Sequence, residues 1–179
     1  MLSQLTEAEI VNGIVLATVL ASDYGNARKI NAMRLLRPVI AAVVIIPLFV
    51  DRPVSSGTGL VIEIAGLAAG VLGGLAAAAL MHVYRSPQTG KPVSRAGAPY
   101  AALWTVIIGA RAAFSYGLGH WFQTPVVNWA IANHVTEAAI TDGLIFMALA
   151  MVLVRTLSLG VRASRLPAAP DHTSTLQNA

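Results

Sequence analysis

The sequence contains no cysteine. Disulfides, thiolate metal sites and cysteine nucleophiles are therefore excluded. Charge is scarce too: 11% of the 179 residues are Asp, Glu, Lys or Arg, against 56% that are hydrophobic. A soluble chain of this length needs far more polar surface to cover its core. Catalytic signatures are missing as well. There is no HExxH metal spacing, no GxxxxGK phosphate loop in the Gly- and Lys-containing stretch 85–98, and no nucleophile elbow around Ser115, His120 and Asp142. No inverted repeat of the kind found in carriers is visible.

What the sequence does have is apolar runs near twenty residues long, the length that crosses a bilayer as helix. The expected fold is an all-α integral membrane protein, a bundle of five transmembrane helices over about 5–24, 35–50, 60–84, 99–118 and 135–155. These form one transmembrane domain, 1–166, followed by a Pro-, Ala- and polar-rich cytoplasmic tail, 167–179, expected to be disordered. The first run competes with a signal peptide, for which Val19-Leu20-Ala21 is a weak cleavage site. The residues before the run lack the Lys or Arg that a signal peptide needs. Pro47 should kink or end the second span. Gly66, Gly70, Gly74, Ala78 and His82 recur every four residues in the third, with Glu63 leaning to the same face. Small residues at that spacing let another helix approach closely, inside the bundle or in a second copy. The Pro- and Gly-rich stretch 85–98 reads as a loop, and a short surface helix is expected from Pro125 toward Asn133.

The net charge of +4 comes from 12 Lys and Arg against 8 Asp and Glu. In a chain of apolar spans these cations set orientation and meet anionic headgroups, and nucleic acid is not an expected partner. With the N-terminus outside and the C-terminus inside, the inner side holds Arg28, Lys29, Arg34, Arg37, Arg85, Lys91, Arg95, Arg155, Arg162 and Arg165, and the outer side only Arg52. Dropping the first span leaves four, with both termini inside.

Charges inside the spans are the candidate site. At about 1.5 Å per residue, Arg111 lies roughly 12 Å deep, Asp142 roughly 10 Å, and Glu63 and Glu137 within roughly 6 Å of the outer boundary. Intramembrane charges need partners and often mark function. The expected pair is Arg111 with Asp142, then with Glu63. With Glu137 and His134 they would line a polar cavity open to the outside, holding a small polar ligand or relaying protons, or would form a structural ion pair that fixes helix register. His120 and His134 are weak candidates to share a metal or haem; otherwise no cofactor is expected.

The basic loop entering a span (VSRAGAPYAALW), the arginine within GARAAFSYG and the final GLIFMALAMVLVRT resemble small multi-span membrane proteins of high-GC actinobacteria, similar to the CcdC-like group. That resemblance implies a bacterial cell-membrane location and a multi-pass helical fold, and it carries no reaction and no catalytic residues. The reading is a non-enzymatic accessory or regulatory membrane component, in contact with a second copy or another membrane protein. A small oligomeric transporter or proton-coupled permease, and a haem- or quinone-binding redox subunit, are the alternatives.

Overall fold

The computed structural model describes residues 27–49 and 56–167, together with Ala17, Ala21 and Gly25. The expected first span and most of the expected tail lie outside the described residues. The order is β1 (Arg28–Lys29), α1 (Ala32–Phe49), α2 (Thr58–Ala79), β2 (Met81–Arg85), β3 (Pro92–Ala96), α3 (Ala98–His120), α4 (Gln123–Ala132) and α5 (Glu137–Ser164). The protein is mostly helical. Three helices among the described residues are long and apolar enough to cross a membrane: α2, α3 and α5 from Ala138 onward. The 18-residue α1, with Arg34 and Arg37 in its first two turns, covers most of the expected second span and is not among them. At 1.5 Å per residue the 28 residues of α5 reach about 42 Å, longer than the roughly 30 Å that crossing an apolar layer needs.

The main packing is α2 along α5. Every fourth residue of α2 meets backbone. A Cβ at Gly66 would run into the Gly143 carbonyl, one at Gly70 into that of Met147, and one at Gly74 would lie 2.6 Å from that of Met151. The offset between partners is 77 at each level, so the two helices run parallel and in register. Such contact gives close dispersion packing and Cα–H···O approaches, which substitute in lipid for the missing hydrophobic drive. The small-residue stripe thus packs within the chain. A parallel pair needs a crossover, which the β2–β3 hairpin, the rising α3 and the short α4 provide.

Several expectations are corrected. The third span does not run to Tyr84, because the helix stops at Ala79. Met81–Arg85 pairs antiparallel with Pro92–Ala96 in a sheet of order β1-β3-β2, so the fold is not purely helical. His82 therefore leaves the helical stripe, which ends at Ala78, and sits exposed opposite Arg95. The stretch 85–98 is likewise not all loop. Its proline and glycine instead shape the turn Pro87–Gly90, closed by Ser86 N–H to the Lys91 carbonyl (2.9 Å) and Gly90 N–H to the Ser86 carbonyl (2.8 Å), with Gly90 at φ 62°. The segment before α1 begins as β1, with Arg28 opposite Ser94 and Lys29 opposite Val93. α4 is the expected surface helix, starting two residues earlier than Pro125, and none of its residues is buried.

Large apolar side chains are exposed along α1 and α2, including Met33, Leu36, Ile40, Val43, Val61, Ile64 and Leu72. Such a face suits hydrocarbon and is unlike the surface of a soluble domain. Gly70→Leu should lower stability in detergent by about 2–3 kcal/mol through overpacking. Gly109→Ala, whose Cβ would meet nothing within 4 Å, should melt like the parent. Equal melting of both variants would remove the glycine contact as the basis of the fold.

Candidate functional site

The five expected site residues are divided by the structure. Glu63 is 5% exposed and Asp142 4%. They are brought to one interface, since Glu63 follows Ile62, whose side chain and carbonyl would lie 3.1 and 3.2 Å from a Cβ at Gly143, the neighbour of Asp142. Both carboxyl groups have interaction partners, as does the exposed Thr141. Arg111 stands apart. It is exposed on α3 and has no ion-pair partner among the described residues, so the expected Arg111–Asp142 contact is not part of this arrangement. A charge at such a depth in lipid costs about 2.5–3.5 kcal/mol on insertion scales. Glu137 is the first residue of α5.

His134 has a backbone role. It sits at φ 52° just past α4, with its N–H on the Ile131 carbonyl (3.2 Å) and the following Val135 N–H on the Ala130 carbonyl (2.8 Å). This is the paired-bond helix stop that needs one left-handed residue. Thr136 then caps α5, its hydroxyl accepting from Ala139 N–H at 3.2 Å. His120 stacks on Tyr116 (4.2 Å, 12°), its Nδ1 3.1 Å from the Tyr116 carbonyl oxygen. Among the described residues no three His, Cys, Asp or Glu side chains are grouped so as to hold a metal ion. Trp121, 76% exposed, meets Tyr116 edge to face at 5.6 Å. Aromatic clusters of this kind are common at the ends of membrane-spanning helices.

The opposite end carries most of the polar contacts. Arg155 donates from Nη1 to the Tyr100 hydroxyl, and its guanidinium carbon lies 6.0 Å from the centroid of the Tyr100 ring. Tyr100 is fully buried, packed with Met81, Ala96, Trp104, Met151 and Leu159. Arg162 donates to the Ala78 carbonyl (2.6 Å) at the end of α2, where a cation also meets the negative helix terminus. Arg85 donates to the carbonyls of Gly90 (2.9 Å), Leu166 (3.4 Å) and Pro167, fastening the hairpin to the end of α5. Arg34 donates to the hydroxyl of buried Ser94 at 3.1 Å, tying α1 to the sheet. The expectation that these arginines set orientation did not include these contacts. The available signal was helical spacing: Tyr100, Trp104 and Ile108 share one face of α3, and Met151, Arg155, Leu159 and Arg162 share one face of α5.

Beside this staple lies an open groove of about 690 Å³, lined by His82, Tyr84, Arg95, Ala96, Gly97 and Gly25. His82 and Arg95 face each other across β2 and β3, and Tyr84 follows on the same side. Gly97 is the N-cap residue of α3 and gives no side-chain cap, and Pro99 in the first turn has no N–H of its own. Arg28, Lys29, Arg37, Lys91 and Arg165 are also exposed at this end. The arrangement is suited to an anion held by guanidinium donors.

Comparison with known proteins finds no family model, no curated protein and no solved structure that matches the chain.

The Tyr100–Arg155 contact yields a double-mutant prediction. Tyr100→Phe should cost about 1–3 kcal/mol of stability, because it leaves a partly buried guanidinium short of an acceptor. Adding Arg155→Ala should cost less than the sum of the single losses. Additive losses, read by thermal melting in detergent, would show that the two side chains do not act together.

Proposed function

We propose that the protein is a non-enzymatic accessory component of the bacterial cell membrane, which holds a basic β-platform against anionic lipid headgroups at the inner surface. The observation that carries this reading is the division of labour among the cations. Arg34 and Arg85 fasten the sheet to α1 and to the end of α5, and Arg155 and Arg162 join α5 to α3 and α2, while Arg28, Lys29, Lys91, Arg95 and Arg165 remain exposed around it. Positive charge at one end of a set of apolar helices both orients the chain, C-terminus inside, and attracts the negative leaflet, by about 1 kcal/mol per cation near the surface. The groove between His82, Arg95 and the start of α3 gives that attraction a defined site for a phosphate group.

Catalysis has no comparable support. The buried carboxyl groups, Glu63 and Asp142, sit in the helix contact on which the fold depends. Their placement favours the role of fixing register over that of relaying protons. The resemblance to the CcdC-like group agrees with this reading in location and adds no chemistry.

Reconstitution tests the proposal. In vesicles containing phosphatidylglycerol the protein should melt several degrees higher than in phosphatidylcholine alone, and added salt should reduce the difference. Arg95→Ser combined with His82→Ser should remove most of it. Equal melting in both lipids, or an undiminished difference in the double variant, would refute the assignment of the headgroup to this groove.

A further inference from the structure

We propose that the open edge of β2 pairs with β2 of a second copy of this chain, joining two three-stranded sheets into one around a two-fold axis at Val83. This goes beyond the lipid reading and does not depend on it. The sheet order β1-β3-β2 leaves two edges, and they are not alike. β1 is two residues long, and both, Arg28 and Lys29, are exposed cations. A short, charged edge of that kind resists further pairing. β2 has five residues, Met81–Arg85, with no lysine or acidic side chain, and it follows β3 one residue to one. Proline, lysine and a bulge, which commonly block an edge, are all absent from it. Its arginine, Arg85, is engaged by the carbonyls of Gly90, Leu166 and Pro167.

The hydrogen bonds on the far side of β3 fix which way the backbone of β2 points. In an antiparallel strand the N–H and C=O of one residue face the same neighbour, and successive residues alternate. Ile30 N–H bonds to the Pro92 carbonyl (3.0 Å) and Gly25 N–H to the Ala96 carbonyl (3.2 Å), so Pro92, Ser94 and Ala96 face β1. Val93 and Arg95 therefore face β2, where Tyr84 and His82 stand opposite them. Ser86 keeps the alternation, with its N–H on the Lys91 carbonyl (2.9 Å). Met81, Val83 and Arg85 then turn their backbone groups to the open edge. Among the described residues no further strand pairs with them there.

This pattern is self-complementary. A second β2 laid antiparallel with Val83 opposite Val83 brings Met81 opposite Arg85 on either side. Every edge-facing residue then meets an edge-facing residue, and the two valines exchange N–H···O=C bonds in both directions. Shifted by one residue, the same groups would meet His82 and Tyr84, whose backbone groups face β3. In the matched register His82 stands opposite Tyr84 of the second copy, and Tyr84 opposite His82. Both side chains are exposed, on the face away from the core in which Met81 is buried and against which Val83 packs. Residues between the bonded pairs bring their Cα atoms to about 4.5 Å, so two His–Tyr contacts form across the axis. Pairing of one patch with itself closes after two copies and leaves the cationic β1 edges outermost.

Register-specific cross-linking tests this in a chain with no cysteine of its own. Two differently tagged copies are produced together, one carrying His82→Cys and the other Tyr84→Cys, and oxidised in native membranes. The disulfide joining the two tags should form at least about tenfold more than that of either variant with itself, because opposite residues fall within bonding range and like residues lie on a diagonal. Native mass spectrometry of the parent should show twice the 18.7 kDa of one chain. Val83→Pro removes an N–H that faces the edge and none that bonds β3. It should give single chains with the parent's helix content by circular dichroism. Absence of the mixed disulfide, or equal yields from each variant alone, would overturn the proposal. So would single chains from the parent, or a Val83→Pro dimer as stable as the parent's.

Discussion

The backbone contact between α2 and α5 sets the terms for the rest of the molecule. Three glycines spaced by four bring one helix against the carbonyls of the other at a constant offset. No side chain larger than hydrogen fits there. Because the two helices are parallel, the chain must return between them, and it does so through a hairpin at one end, the length of α3, and a surface helix at the other. The hairpin, the position of Tyr100 and the divergence of α3 are consequences of that return. The burial of Glu63 and Asp142 follows from the same contact, since both stand beside its Gly66–Gly143 level.

Arginine serves two separate ends in this fold. At the inner end it acts as a fastener: Arg85, Arg155 and Arg162 each reach from one element to an acceptor on another, and two of those acceptors are carbonyls near helix ends. Guanidinium is well suited to this, being permanently charged and carrying several donors in one plane. The fastened sheet then presents the remaining cations outward. Arg111 is different in kind, since among the described residues no fastening contact holds it and it stands exposed on α3. The same residue type thus fastens junctions at one end and stands exposed in the middle of α3.

Much of this architecture was legible in the sequence. The glycine stripe announced a close helix contact, and the apolar runs announced α2, α3 and α5. The sheet was not legible. Met81–Arg85 continues an apolar run with no break in composition, and its strand character depends on pairing with β3 and, through it, with Arg28–Lys29, more than fifty residues earlier. Extending the stripe from Ala78 to His82 followed the spacing one step too far. The site was legible only in height. Counting residues placed Arg111 and Asp142 at similar depths, but depth does not give the direction in which a helix leans, and α3 leans away. The pairing of Tyr100 with Arg155 has no local motif to mark it, and only the faces of α3 and α5 taken together point to it.

The central claim, the parallel in-register contact of α2 with α5 inside one chain, is tested most directly by solid-state NMR on protein in lipid bilayers with carbon-13 at glycine alone. Gly66 and Gly143 face each other across the contact. The account predicts a through-space cross-peak between their α-carbons that keeps its intensity when labelled protein is diluted with unlabelled protein. No cross-peak, or one that fades on dilution because it arises between chains, would contradict it.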